Sequence, residues 1–336
     1  VGFVCRNEPV QITWPAVPSV EFYGVRGSCP CSDPALARYG GATACVAVEA
    51  GDGSPPLLLD LGTGCRNLGE RLLERYFPCS PVPVGPPPHP PGEAGSAERH
   101  GASGERLRLA VFVSHLHFDH VQGLPFFGPA IRPDVRLDIF GPLQSDSLEA
   151  AFAAFVQPPY FPIRLDEIPS ELRFVGLDDG AEVEVGPARV TAREIPHVGS
   201  TLGYRVEVGG VVVAYLSDHQ APESGGRVVP TVAQSAVDLC MGADLVVHDA
   251  QYTDEEFARK RTWGHSTHEY AVEVAAEAGA ARLALFHHDP THDDAALDRI
   301  GEEASFLAGR RAPGLEVLVA AEGGRLDLAP AGVQTR

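Results

Sequence analysis

Paired cysteines, basic charge and long apolar runs are all scarce in this chain. Its seven cysteines, at positions 5, 29, 31, 45, 65, 79 and 240, form neither the dense framework of a disulfide-stapled domain nor paired CxxC motifs. That argues against a structural thiolate zinc site and makes a reducing compartment, the cytoplasm, the expected location. Lysine and arginine number 26 against 45 aspartates and glutamates, a formal net charge of −19. So acidic a surface repels polyanions at long range, so a small molecule is the expected substrate and nucleic acid is not the expected partner. The longest apolar runs are strand-sized, which argues against a membrane-spanning helix. The first residues lack the basic and apolar regions of a usual signal peptide.

What remains is an ordinary globular composition, 44% hydrophobic and 21% charged, in a chain of 336 residues, long enough for a sizeable core. Residues 1–18 read as an N-terminal arm, and 19–336 as one domain interrupted at about 80–105 by a Pro/Gly-rich insertion around Pro86-Pro-Pro-His-Pro-Pro. Strands are expected at Val20–Val25, at Val46–Glu49 and Leu57–Asp60 as a hairpin, and at Leu109–Val113. Further strands are expected near Leu137–Phe140, Arg173–Val175, Arg189–Ala192, Gly203–Val208, Val211–Tyr215, Leu245–Val247 and Leu283–Phe286. Apolar residues recur at helical spacing over Cys65–Tyr76, and helices also fall near Ser147–Phe155, Thr231–Met241, Thr267–Ala278 and Ala295–Leu307. Strands interleaved with helices in this way predict a layered α/β domain with helices on sheet faces.

The chemistry concentrates in Ser114-His-Leu-His-Phe-Asp-His120, at the end of a buried strand. Three imidazoles and a carboxylate within six residues are ligand types suited to zinc and related first-row ions. In an extended segment His115 and His117 point the same way, so one metal can take both, while Asp119 and His120 at the following turn can serve a second. Two metals need further ligands, and His197, Asp218 and His287 are offered by later strand ends or extended segments. Asp60, in a Gly-rich turn after a buried strand, can hydrogen-bond the back of a ligand histidine or serve only its own turn. His248-Asp249 is open to the same two readings. Among the polar residues after His287, His288 is the candidate for substrate contact, and Asp289, His292 and Asp293 read as a loop.

Leu58-Leu-Asp-Leu-Gly-Thr-Gly64, the HxHxDH cluster, and the later histidines and aspartate together resemble the motif series of the metallo-β-lactamase superfamily, from about Val20 to Gly324. Within it, His197-Val-Gly-Ser-Thr-Leu-Gly-Tyr and Gly264-His-Ser-Thr-His-Glu resemble the phosphodiesterase branch that includes ribonuclease Z and cyclic phosphodiesterases. The resemblance implies a four-layer αβ/βα sandwich. It implies one metal on His115, His117 and His197, a second on Asp119, His120 and His287, and Asp218 bridging both. Glu322 in Ala321-Glu-Gly replaces the aspartate of the family's closing motif. Some cyclic phosphodiesterases of the branch carry an extra zinc on a Cys-rich N-terminal loop, but Cys29-Pro-Cys31 offers only two thiols.

Two divalent ions activate water as hydroxide and neutralise charge on an attacked group, so hydrolysis is the expected reaction. Zinc is the first expectation, with manganese or iron compatible with the same ligands. Asp119 belongs to the catalytic apparatus as well as to the ligands, and the resemblance makes His265 the proton donor to the leaving group. No long insertion stands between His197 and Asp218 where ribonuclease Z enzymes place a tRNA-binding arm. A small or cyclic phosphodiester is therefore the leading substrate. A carboxylic ester, lactone or thioester is the alternative, and RNA cleavage of the ribonuclease Z type a further one. The complete ligand set disfavours a purely binding or structural role, and related enzymes make a homodimer compatible.

Overall fold

The computed structural model describes residues 17–78, 106–222 and 232–329. Almost all of the expected N-terminal arm, the whole of the Pro/Gly-rich insertion expected at about 80–105, and Thr231, where the third helix was expected to begin, lie outside these residues.

Two seven-stranded sheets face each other. The first contains β1 (Ser19–Gly24), β2 (Cys45–Glu49), β3 (Leu57–Leu59), β4 (Leu107–Phe112), β5 (Val135–Pro142) and β6 (Glu171–Leu177). The second begins with β7 (Glu182–Val185), β8 (Ala188–Glu194), β9 (Leu202–Val208) and β10 (Val211–Leu216), and continues with β11 (Leu245–Asp249), β12 (Arg282–Phe286) and β13 (Glu316–Val319). The last strand, β14 (Arg325–Asp327), returns to the first sheet, whose order is β14-β1-β2-β3-β4-β5-β6; the second runs β13-β12-β11-β10-β9-β8-β7. β2 and β3 form the expected antiparallel hairpin, with Ala47 opposite Leu58.

Between the sheets, side chains from both inner faces make one core. Phe112 of β4 stacks on Phe140 of β5 with ring centroids 4.6 Å apart and meets Tyr204 of β9 edge-on at 5.3 Å. Truncating such a ring to alanine costs roughly 3–5 kcal/mol. The helices cover the outer faces. On the first sheet lie α1 (Cys65–Tyr76), the short α2 (Phe118–Val121) and α3 (Leu148–Phe155), while α4 (Gln234–Cys240), α6 (His268–Glu277) and α7 (Asp294–Arg311) cover the second. The result is the expected four-layer sandwich. No helix among the described residues is long and apolar enough to cross a membrane.

Local chemistry explains the boundaries. Ser147, Thr267 and Asp293 cap α3, α6 and α7 by accepting from Ala150 N, Tyr270 N and Ala296 N. α1 ends at Tyr76, just before Pro78, as expected. Five elements differ from expectation, the first being α2, a single helical turn where only a turn was expected. α5 (Asp254–Lys260) buries no residue and so has no apolar stripe, yet Thr253 and Glu256 close a capping box at its start, a signal legible in Thr-Asp-Glu-Glu. β7, β13 and β14 are short and only partly buried, all three lie at sheet edges, and they exist by pairing with better-defined neighbours.

Relative strand direction places the site. β3, β4, β5 and β6 are parallel, as are β10, β11, β12 and β13, and β8 runs the same way as β10 through two antiparallel pairings. The residues following β3, β4, β8, β10 and β12 therefore emerge together at one end of the sandwich. Binding sites of α/β sheets lie at the carboxyl ends of strands for this reason.

Candidate metal centre

At that end the seven sequence-predicted ligands meet. Nitrogens of His115, His117 and His197 and an oxygen of Asp218 lie within 4.8 Å of one another, as do ligand atoms of Asp119, His120 and His287. Asp218 stands between the two groups. Its Oδ1 is 3.8 Å from His115 Nε2 and 3.7 Å from His197 Nε2, while its Oδ2 is 3.0 Å from His120 Nε2 and 3.2 Å from His287 Nε2. Asp119 Oδ2 is 3.2 Å from both His120 Nε2 and His287 Nε2.

The backs of the rings fix which nitrogen faces inward. His120 Nδ1 donates to Asp60 Oδ2 at 2.8 Å, His197 Nδ1 to the Gly264 carbonyl at 2.5 Å, and His287 Nδ1 to Gln251 Oε1 at 3.0 Å. Carboxylate and carbonyl oxygens only accept, so each of these rings must carry its proton on Nδ1 and present a bare Nε2 to the centre. His115 Nδ1 lies 3.0 Å from Ser114 Oγ, and its buried Nε2 has no hydrogen-bond partner. Asp218 Oδ2 is equally buried and without a hydrogen bond. Converging lone pairs with no donor between them are costly unless a cation lies among them, and imidazole with carboxylate is the donor set that divalent transition ions take. The residues fit divalent metal ions.

The electrostatics agree. Burial drives the pKa of His115 well below the ordinary histidine value, which keeps the ring neutral as a ligand must be. Burial alone would raise that of Asp119, but His120 and His287 beside it hold the carboxyl well below the usual carboxylate range.

The chain is built to let rings approach backbone. A Cβ on Gly27 would come within 2.5 Å of His287 Nδ1, and one on Gly264 within 2.6 Å of His197 Nδ1. Asp60 and His287 themselves adopt φ of +61° and +58°. Left-handed backbone at non-glycine residues costs about 1–3 kcal/mol and collects at functional sites, where surrounding contacts enforce it.

Asp60 resolves the open reading in favour of more than a local turn. Fully buried, it accepts from Ser114 N at 2.6 Å, Ser114 Oγ at 2.9 Å and Tyr215 Oη at 2.8 Å as well as from His120. One carboxylate thus ties the end of β4, a strand of the opposite sheet and the His120 ring together. His265 lies at the centre's edge, its Nδ1 2.9 Å from Asp249 Oδ2 and 3.6 Å from Asp218 Oδ1. Burial disfavours its charged form, but Asp249, with Asp218 and Asp119 behind it, outweighs burial and lifts its pKa above the ordinary histidine value.

Two expected residues stand apart. His248 Nε2 pairs with His219 Nδ1 at 3.0 Å and its Nδ1 donates to the Asp249 carbonyl at 2.7 Å, so its partner in sequence, Asp249, is the one that reaches the centre. His288 is fully buried, with Nε2 donating to the Ala320 carbonyl at 2.8 Å, and it faces away from any substrate. Glu322 likewise pins a loop, accepting from the Ala42 amide. Cys29 is exposed and Cys31 half-buried, its Sγ 3.5 Å from the Cys29 carbonyl. Residues that sequence reasoning missed include Ser28, whose amide donates to Asp119 Oδ2 at 2.8 Å, together with Gln251 and Tyr215. Nothing in the local sequence of these three marks them, since each acts on a partner more than 30 residues away.

The comparisons with known proteins point the same way. A family model described as a beta-lactamase superfamily domain matches residues 98–288. Ribonuclease Z of Streptococcus suis (strain 98HAH33) is 27% identical over 245 residues, covering 59% of this chain and 76% of that protein. Ribonuclease Z of Geobacillus kaustophilus (strain HTA426) is 27% identical over 309 residues, covering 74% and 94%. The crystal structure of the metallo-beta-lactamase fold protein YhfI from Bacillus subtilis superposes with a TM-score of 0.59 at 19% identity, covering 93% of this chain and 99% of that one. With its matched region spanning more than half the chain, its four-layer sandwich and its histidine-aspartate centre, the protein belongs to the beta-lactamase superfamily and is a metal-dependent hydrolase.

Proposed function

We propose that this protein is a phosphodiesterase that uses two divalent metal ions, zinc by preference. His115, His117 and His197 would hold one ion, Asp119, His120 and His287 the other, and Asp218 would be shared. The observation that carries this reading is the inward convergence of bare imidazole nitrogens on both oxygens of Asp218. When bound, such a pair lowers the pKa of water and neutralises negative charge growing on an attacked phosphoryl group.

The chain's own residues do the rest. Asp119 is held by the Ser28 amide, and Asp60 fixes the His120 ring. His265, with Nδ1–H committed to Asp249, keeps Nε2 to carry the transferable proton, and the Asp249 carboxylate beside it favours the protonated ring. A leaving alkoxide is a strong base and gains most from such a donor, which favours substrates that release ordinary alcohols over those that release acidic ones.

The acidic net charge argues for a small or cyclic diester. That argument loses weight against RNA, because curated relatives carry the name ribonuclease Z while a local groove can differ from the global charge. RNA 3′-end cleavage is therefore the second reading. The test is hydrolysis of bis(p-nitrophenyl) phosphate, a p-nitrophenyl carboxylic ester, a lactone and a short RNA by metal-loaded and chelated protein. Metal-dependent diester cleavage is expected. Efficient ester or lactone turnover without diester cleavage would move the protein to the carbonyl hydrolases, and RNA turnover exceeding that of small diesters would favour the second reading.

A further inference from the structure

Three large apolar side chains are exposed beside the centre rather than scattered over the surface. Phe118, 62% exposed, directly follows His117; Val198, 49% exposed, directly follows His197; Trp263, 62% exposed, stands two residues before His265. A single exposed apolar residue needs no explanation, but a group placed at the open edge of a polar site does. His117 is the exposed member of the ligand set, and its ring lies 5.0 Å from that of His197, so these two rings form the open edge. The segment carrying Trp263 sits against it, since a Cβ on Gly264 would meet both His197 and Val198 Cγ2, the latter at 3.3 Å.

Trp263 is also held. Lys260 Nζ lies 5.6 Å from its ring centroid and 4.5 Å from that of Tyr252, and is itself anchored to Asp289 at 2.9 Å. A cation near one side of an indole that stays largely exposed leaves aromatic surface available to a second planar group. Phe118 is similarly braced, edge-on to Phe155 with centroids 5.9 Å apart. Beside Trp263 one cation is uncommitted: of the consecutive Arg259, Lys260 and Arg261, Arg259 pairs with Glu255 at 3.5 Å and Lys260 with Asp289, while Arg261 is exposed with no ion-pair partner among the described residues.

Aromatic faces flanked by cations are what a base attached to a phosphate requires. We infer that Phe118 and Trp263 are specificity-determining residues that stack a nucleobase on the rim of the metal centre, with Arg261 beside the adjoining phosphate, so that the substrate is a phosphodiester carrying at least one nucleoside. The inference rests on the phosphodiesterase reading for its reaction, but the stacking has a readout of its own.

The chain has two tryptophans, so Trp14→Phe leaves Trp263 as the sole indole reporter. Titration of this metal-loaded variant of the 336-residue chain with adenosine monophosphate should quench its fluorescence saturably, and ribose phosphate should not. Adding Phe118→Ala should weaken the quenching titration by about 10-fold, the size of one stacking contact. In turnover, Trp263→Ala should raise KM for adenosine 2′,3′-cyclic phosphate by about 10-fold with kcat little changed, and leave turnover of ethylene phosphate, which has the ring but no base, as it was. Quenching by adenosine monophosphate in a protein that cleaves no diester would uphold the stacking and sink the reaction. Equal quenching by ribose phosphate, equal quenching by phenyl phosphate, or parallel KM changes for both diesters would overturn the nucleobase assignment.

Discussion

Asp249 Oδ2 stands 2.9 Å from His265 Nδ1, and the same carboxylate also accepts from the amides of His219, Gln251 and Ser266. A carboxylate fixed by three amides cannot follow a moving ring, so it holds the imidazole in one orientation and one tautomer. His265→Ala should therefore slow cleavage of alkyl diesters by about 100-fold, a typical share for a general acid. The loss should be far smaller for p-nitrophenyl diesters, whose leaving group needs no proton. Equal losses for both leaving groups would remove the proton-donor role.

The same pair sets a pH dependence. Activity needs His265 protonated, so it falls as pH rises through the His265 pKa, and Asp249 has moved that pKa upward. In Asp249→Asn the charge is gone, and the alkaline limb of kcat should shift to lower pH while the thermal midpoint of the protein reports any structural damage. An alkaline limb that stays in place would show that His265 does not supply it.

Asp60 tests how the ligands are held. Asp60→Asn keeps the side-chain size and the tolerance for φ of +61° but replaces a carboxylate that accepts from Ser114, His120 and Tyr215. Loss of a partner behind a metal-binding histidine lowers metal affinity by roughly 10- to 100-fold, readable by competition with a chromogenic chelator. Asp60→Ala should in addition destabilise the fold by about 1–3 kcal/mol, because buried donors are left unpaired.

Much of this was legible in the chain. The buried strands β4 and β10 read as apolar runs because both of their faces are covered, one by the opposite sheet and one by helices. Helix ends were marked by Ser147, Thr267 and Asp293. The ligands were legible because metal chemistry restricts the residue types and because strand ends are where an α/β fold collects them. What supports them was not: Asp249, and not His248, reaches the centre, since alternation along β11 turns adjacent side chains to opposite faces and sequence does not say which faces the site. His288 lies past the end of β12, after the left-handed backbone of His287, and turns away from the centre to reach the Ala320 carbonyl, which the sequence does not mark.

Metal removal should be visible without a substrate. An ion that binds only the native state at about 100 times its Kd stabilises by about 2.7 kcal/mol. Excess chelator should accordingly lower the unfolding midpoint, and zinc should restore it. Asp218→Ala, which removes the group that both clusters share, should abolish the difference between chelated and loaded protein. A variant that still shows the full zinc-dependent shift would mean that the ions do not share Asp218.

His288 should govern acid stability. Burial holds its pKa at about 3 against an ordinary value of 6.5, with the Ala320 carbonyl opposing and Arg26 assisting that depression. The native ring is therefore neutral while the unfolded one takes up a proton below 6.5, so the unfolded state binds more protons between those limits. Its contribution to stability is complete above pH 6.5, declines by roughly 1.4 kcal/mol per pH unit below it, and stops declining near pH 3. His288→Gln keeps a donor for the Ala320 carbonyl and cannot titrate. Measured by urea unfolding in the presence of chelator, the advantage of the histidine protein over this variant at pH 7 should shrink by about 2 kcal/mol at pH 5. A stability difference that is the same at both pH values would place the proton uptake elsewhere.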